Sequence, residues 1–326
     1  MDQSLYPLRF YPIYKQLIWG GEKLRELYGK KDAPEKTGES WEISQVEDNV
    51  SMVSNGFLKG KSLEEIIKTY KGELMGHRVF ERFGFRFPLL TKFIHSNDDL
   101  SIQVHPGDEY AFKHHGENGK TEMWYILDSE NDAQLIVGFN RDLDRETFLD
   151  KLNSGHLKEV LHFEKVLEGD VIFLPAGRIH ALGPGIILAE IQQTSDMTYR
   201  IYDWDRVGQD GKPRELHIEH ALNVLDYQTH PSYKTSYQSL MNTPVNLVTC
   251  PYFSTQLIHL DRKLDLDFRT LDAFVIFMCL EGDLAISHGV GAPTRLVKGD
   301  TLLIPASLKQ LSIIPAEESK LLEIYP

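Results

Sequence analysis

Apolar residues in this chain recur mostly at every second position over short runs. The clearest run is LSIQVHP, residues 100–106, where Leu100, Ile102 and Val104 alternate with Ser101, Gln103 and His105. Strand side chains point to opposite faces in turn, so this segment carries three aliphatics on one face and three polar groups on the other. Similar runs, bounded by Gly, Pro, Asn and Asp, predict strands at 87–95, 99–105, 121–128, 133–138, 162–167, 170–174, 186–193 and 197–203. A second series follows at 245–250, 254–260, 272–280, 283–287, 295–297, 300–304, 310–314 and 319–324. Helical spacing is rarer. It predicts short helices at 21–29, at 62–75 with a Ser62–Glu65 capping box, at 144–153 behind Asp144, and at 215–225. Many short strands and few helices indicate a mainly β protein built of sandwiches or barrels.

One stretch occurs twice. Residues 168–177 read EGDVIFLPAG and residues 298–307 read KGDTLLIPAS. Gly169, Asp170, Pro175 and Ala176 match Gly299, Asp300, Pro305 and Ala306 without a gap. A repeat of this kind predicts two related β-barrels in tandem. The polar, helix-poor segment 227–243 would link them, giving domains at 1–235, with peripheral helices, and 236–326. The copies differ in chemistry. His180 follows Pro175 by five residues, and Gln310 stands at that offset from Pro305. TEMWYIL (121–127) carries Glu122, and AFVIFMCL (273–280) has no carboxylate. The first copy is therefore the one expected to be active.

The polar face of the 100–106 strand, together with Glu122 and His180, offers two imidazoles, a carboxylate and an amide oxygen. That donor set suits zinc with an open position, or Fe(II) as a two-His-one-carboxylate triad. Gly169, Pro175, Gly177 and His180 fit G-x5-P-x-G-x2-H, the second motif of the cupin superfamily. Pro184 stands where cupins often have Asn, and Gln103-Val104-His105 replaces the usual His-x-His. That replacement is the pattern of type I mannose-6-phosphate isomerases, and the sequence resembles the short bacterial form of that family along nearly its whole length. The resemblance rests on LIWGGEKL (17–24), GESWEIS (38–44), LTKFIHSNDDLSIQVHPGDEYA (90–111), GKTEMWYIL (119–127), AGRIHALGPG (176–185) and ELHIEHAL (215–222).

The resemblance implies two tandem cupin-type jelly-roll barrels and one Zn2+ per chain, held by Gln103, His105, Glu122 and His180. It implies interconversion of mannose 6-phosphate and fructose 6-phosphate through a cis-enediol. Arg200 would stabilise the enediolate or position the sugar, and Glu190 would shuttle the proton. Candidate phosphate contacts are Ser101, Lys120, Lys92 and Arg206, with Trp19 and Trp41 on the pocket wall. The rival readings are a cupin Fe(II) dioxygenase and a non-catalytic sugar-binding cupin.

Charge and composition narrow the partners. The chain has 48 Asp and Glu against 35 Lys and Arg, a net charge of −13, without the basic stripe that nucleic-acid binding needs. No apolar stretch approaches the ~18 residues that span a membrane, and no signal peptide is visible. Two cysteines, Cys250 and Cys279, fit free thiols in the cytoplasm rather than a disulfide framework. A monomer or weak homodimer is expected. Two histidine pairs, His114–His115 and His217–His220, lack a third ligand in sequence, and Asp203 and Asp205 lack an evident partner.

Overall fold

The computed structural model describes residues 4–208 and 211–326. Four antiparallel sheets dominate it. The N-terminal half has a six-stranded sheet in the order Ile13–Gly21, Thr37–Ile43, Leu89–Ser96, Ile186–Gln193, Glu122–Ser129, Val171–Leu174. A five-stranded sheet faces it, in the order Tyr199–Tyr202, Ile102–Val104, His180–Leu182, Gln134–Phe139, Leu161–Lys165. The C-terminal half repeats the scheme with five strands, Val245–Thr249, Ser254–Leu260, Ser319–Tyr325, Val275–Glu281, Thr301–Ile304. Four more face them, Leu264–Asp267, Gln310–Pro315, Asp283–Ser287, Thr294–Val297. The mainly β expectation holds. The expected barrels are not seen closed: among the described residues no sheet closes on itself, and each half is a pair of facing sheets.

Period-two alternation stacks these sheets. Trp124 and Ile126 point between the two N-terminal sheets, with Leu135, Val137 and Leu182 opposite. Met123 and Tyr125 point the other way, into a shared core with Ile276, Met278, Leu322 and Ile324 of the C-terminal half. The larger sheets of the two halves thus pack back to back. The chain start joins this arrangement, since Leu8 and Leu303 exchange backbone hydrogen bonds of 2.8 and 2.9 Å.

The repeated sequence is a repeated structure. Gly169 and Gly299 both sit at φ 87, where a side chain would be strained. Their amides donate to Ile126 and Cys279 at 2.9 Å each. Asp170 accepts from the Leu167 amide at 2.8 Å and Asp300 from the Val297 amide at 3.0 Å. Each turn launches a strand whose last residue opposes the same point of its neighbour, Leu174 against Glu122 and Ile304 against Val275. Glu122 and Val275 are therefore equivalent positions.

Helices cover what the sheets leave open. Leu63–Tyr70 begins with the expected capping box, Ser62 and Glu65 exchanging bonds of 2.8 and 3.1 Å. The predicted 62–75 helix is broken at Lys71, φ 46, before Gly72–Met75. Asp144 caps Arg145–Asn153 through the Thr147 amide at 2.7 Å. The predicted 21–29 and 215–225 helices shorten to Lys23–Leu27 and Ile218–Val224. The linker at 227–243 is not loose: the Thr235 amide bonds to Val171, and the Tyr237 hydroxyl to Gly169.

Candidate active site

Three ligand-type side chains converge between the N-terminal sheets. His180 opposes Gln103 across adjacent strands, and His105 lies just past the end of the same strand as Gln103. Glu122 reaches them from the opposite sheet. His105 Nε2 lies 3.5 Å from Glu122 Oε2, and His180 Nε2 lies 3.4 Å from Glu122 Oε1. All three are buried, and their ligand atoms all lie within 4.8 Å of one another. The turn holding His180 is tight because it must be. Gly177 sits at φ 89 and donates to the His105 carbonyl at 2.9 Å, and a Cβ there would stand 2.7 Å from the Val224 carbonyl.

The protonation pattern is that of a metal site. Nδ1 of His105 and of His180 each meets a backbone carbonyl at 2.9 Å, Met197 and Arg178 respectively. A carbonyl only accepts, so Nδ1 carries the proton and Nε2 presents its lone pair inward. Both Nε2 atoms are buried without a hydrogen-bond partner, and Glu122 Oε2 makes no hydrogen bond, with the Lys120 ammonium 3.3 Å away. Orphaned buried acceptors on this scale are costly unless a cation satisfies them. Burial, aided by the charge of Lys120, pushes His105 down to about 3, and burial lowers His180. Burial works against the Glu122 charge, but Lys120 and His105 outweigh it and hold that carboxyl well below the usual range. Neutral imidazoles around an ionised carboxylate are what a divalent metal requires. The residues present fit such an ion.

A cavity of 640 Å³ opens beside this group. Gln103, Ser101, Lys120, Trp19, Trp41, Lys92, Glu190, Arg200 and Arg214 line it. On its six-stranded wall, Trp124, Glu190, Lys92 and Trp41 oppose one another in a row across four strands. Trp124 Nε1 donates to Glu190 Oε2 at 2.8 Å, and Lys92 lies 2.9 Å from Glu190 Oε1 and 3.6 Å from Glu39. Burial, then the nearby Glu122 charge, raises the Glu190 pKa against the pull of Lys92. Burial opposes the charge on Lys92, and its two carboxylates more than offset that.

Several sequence readings change here. Lys92 is committed to Glu190 and Glu39. Arg206 does not line the cavity; it bonds to Asp203 at 3.1 and 3.2 Å and lies 3.7 Å from Asp98. Alternation along 197–203 would put Thr198, Arg200 and Tyr202 on one face; Thr198 and Arg200 do line the cavity, but Tyr202 does not. A bulge between Arg200 and Tyr202 turns it aside, and its hydroxyl bonds to Asp205. Leu100 precedes the regular strand, so it lines the cavity with Ser101 instead of facing away with Ile102 and Val104. Asp203, without an evident partner in sequence, is buried under Arg206 and Arg214. The four set-aside histidines gather on the surface around Tyr199 and Tyr110, where His115 bonds to the Tyr199 hydroxyl. Lys15, Glu39 and Arg214 are cavity residues that strand patterning alone did not mark.

A family model described as phosphomannose isomerase type I, catalytic domain, matches residues 8–134. Mannose-6-phosphate isomerase ManA of Bacillus subtilis is 37% identical over 313 residues, covering 94% of this chain and 95% of its own length. This chain belongs to the type I mannose-6-phosphate isomerase family. The Streptococcus mutans mannose-6-phosphate isomerase is 36% identical, with 90% of each chain covered. The crystal structure of the Bacillus subtilis mannose 6-phosphate isomerase superposes with a TM-score of 0.87 at 35% identity, covering 99% of this chain and 100% of that one. The Salmonella typhimurium apo enzyme, 18% identical with a TM-score of 0.76 over 98% of this chain and 99% of that one, shares the fold. The chain is thus a mannose-6-phosphate isomerase by family, with a His-Glu-His group able to hold a metal ion.

Proposed function

We propose that the chain interconverts mannose 6-phosphate and fructose 6-phosphate in the cytoplasm, with one zinc ion on His105, Glu122, His180 and Gln103. The observation that carries this is the buried His-Glu-His group beside a cavity that Gln103, Lys120, Glu190 and Arg200 line. We also read each half as a cupin-type jelly roll, with domains at 1–235 and 236–326. Membership of the isomerase family favours this over the iron dioxygenase and the non-catalytic binder.

The reaction moves a proton between C1 and C2 of the open-chain sugar, with a hydroxyl proton passing between O2 and O1. Bound zinc would supply Lewis-acid polarisation of the substrate oxygens. We assign the C–H proton to Glu190. A carboxylate raised by burial is a better base near neutrality than an exposed one. Trp124 and Lys92 hold both of its oxygens, so it stays oriented as it accepts at C2 and delivers at C1. Lys120, 3.3 Å from Glu122, is the cation nearest the reacting end and would stabilise negative charge on the enediolate. Arg200 opposes Gln103 on the next strand, which suits it to positioning the sugar. Ser101 adds a hydroxyl on the same wall.

The test is a coupled assay of mannose 6-phosphate conversion on protein with its metal content measured. Conversion with stoichiometric zinc is expected. Metal-replete protein that binds the sugar phosphate without converting it would mean a binder, and iron-dependent oxygen uptake would mean a dioxygenase.

A further inference from the structure

Four histidines lie outside the cavity and have no part in its chemistry. His114 and His115 end the helix Asp108–His115, and His217 and His220 lie at the start of the helix Ile218–Val224. Neighbouring residues on a helix diverge, so His114 and His115 alone make a poor chelate. The fold sets His220 against both. Its ring centre lies 5.8 Å from that of His114 and 5.2 Å from that of His115, and those two are 6.4 Å apart. Three imidazoles bound to one ion at nitrogen–metal distances of ~2.0–2.1 Å have ring centres on the order of 5 Å apart. The three rings are therefore close to the spacing of a shared ligand set. Their nitrogens are not drawn together as tightly as the ligand atoms of the His105 group. His114 and His115 are exposed, so their side chains can turn through the remaining distance.

Two tyrosines frame the trio. Tyr199, itself buried, places its hydroxyl 2.8 Å from His115 Nε2 and stacks on the His220 ring. Tyr110 places its hydroxyl 3.1 Å from His220 Nδ1 and stacks on the His114 ring. A hydroxyl can accept the proton of one ring nitrogen, which leaves the opposite nitrogen, His115 Nδ1 or His220 Nε2, with its lone pair. Outer partners of this kind fix the tautomer and orientation of metal-binding histidines. Desolvation, and then the charges of Lys113, His220 and His115, lower the His114 pKa, which favours the neutral ring that a metal requires. His217 is different. Its Nδ1 accepts from the Arg200 amide at 3.2 Å, so its proton sits on Nε2 and it has no lone pair to offer.

We propose that His114, His115 and His220 form a second metal site, on the outer surface, for a borderline transition-metal ion such as Ni2+, Cu2+ or Zn2+. An all-imidazole donor set selects these ions over Mg2+ and Ca2+, which prefer oxygen. Water would fill the remaining coordination positions. The site is separate from the His105 group and does not rest on the isomerase reading. Its ion would cross-link the two helices that carry the ligands.

The experiment titrates NiCl2 into the zinc-loaded, untagged full chain by calorimetry, with bound zinc measured before and after. One Ni2+ per chain should bind in addition to the zinc. The melting temperature should rise with it, because an ion that binds only the folded state stabilises that state. His220→Gln should weaken nickel binding by more than about 10-fold, and Tyr199→Phe, which takes the outer partner from His115, by about 10-fold. His114→Gln should match His220→Gln, and its exposed position guards against a variant that fails to fold. His217→Gln should bind nickel at the parent affinity. The proposal is overturned by the absence of saturable nickel binding, by parent affinity in both His114→Gln and His220→Gln, or by a loss confined to His217→Gln. Zinc released in step with nickel uptake, which would mean exchange at the His105 group, overturns it as well. A zinc-loaded chain that takes up this nickel but does not turn over mannose 6-phosphate supports the surface site and sinks the isomerase reading.

Discussion

In the N-terminal half, a row across four strands reads Trp124, Glu190, Lys92, Trp41. In the C-terminal half, the matching row reads Phe277, Glu323, Gln256, Asn246. The carboxylate is present in both, and its partners are present in one. Glu190 has an indole N–H and an ammonium on its two oxygens. Glu323 faces a phenyl ring where Glu190 has Trp124, and its Oε2 is buried without a partner. The metal positions diverge further. Val275 stands for Glu122 and the exposed Gln310 for His180. Apolar side chains such as Val275, Phe277 and Ile304 pack where the first half holds its cavity. The same scaffold thus encloses a polar cavity or a packed core, depending on a few inward positions.

The sharpest way to break this comparison is to remove a ligand from the half that has one. His180→Ala is expected to lose bound zinc and activity together, because a catalytic site has few protein ligands to spare. The drop in kcat/KM should exceed the about 10- to 100-fold seen when only a ligand's supporting partner is changed. Gln310→Ala at the equivalent position should alter neither. Elemental analysis alongside the assay checks both, and zinc retained in an active His180→Ala would show the wrong histidine had been chosen.

A gentler change converts one row toward the other. Lys92→Gln puts the second-half residue into the first half. It leaves the metal group intact and deprives Glu190 of its cation. We expect zinc at the parent level and kcat lowered about 10- to 100-fold, since a buried charge left unpaired costs a few kcal/mol. A change confined to KM would mean that Lys92 contributes to substrate binding in ground state and transition state alike.

Much of this contrast was legible before the fold was known. Gln103, His105, Glu122 and His180 stood out because alternation and the repeat offset are local signals. The strands Ile13–Gly21 and Thr37–Ile43 were not legible, although they carry Lys15, Trp19, Glu39 and Trp41. The first lies half-buried at a sheet edge, and both Gln16 and Gly21 oppose Thr37, so a bulge erases its period. The second reads TGESWEI, polar because its inner face lines a cavity. Asp203 looked unpartnered because Arg214 lies eleven residues away. The break at Lys71 left no pattern signal, since the apolar spacing continues through it. Glu323, a single acid between aliphatics, acquires meaning only when its strand is laid against that of Glu190.

That residue supplies the smallest predicted effect and the cleanest sign. Burial alone pushes the Glu323 carboxyl from 4.5 up to about 7. The folded protein therefore holds this proton more tightly than the unfolded chain. The resulting stabilisation is fully present below about pH 4.5 and is lost as pH rises through about 7, leaving a buried, unpaired charge above that. Glu323→Gln removes the titration while keeping the shape. It should raise the melting temperature by a few degrees at pH 8, on the order of 1–3 kcal/mol at about 1.4 kcal/mol per pKa unit, and change it little at pH 5. Thermal melts at the two pH values decide it. Equal effects at both would mean that Glu323 finds a partner that its register does not reveal. In the N-terminal half the same position has Lys92 and Trp124 beside it, partners that suit the charged state our proposed role for Glu190 calls for. In the C-terminal half the buried carboxyl is stable only while it keeps its proton.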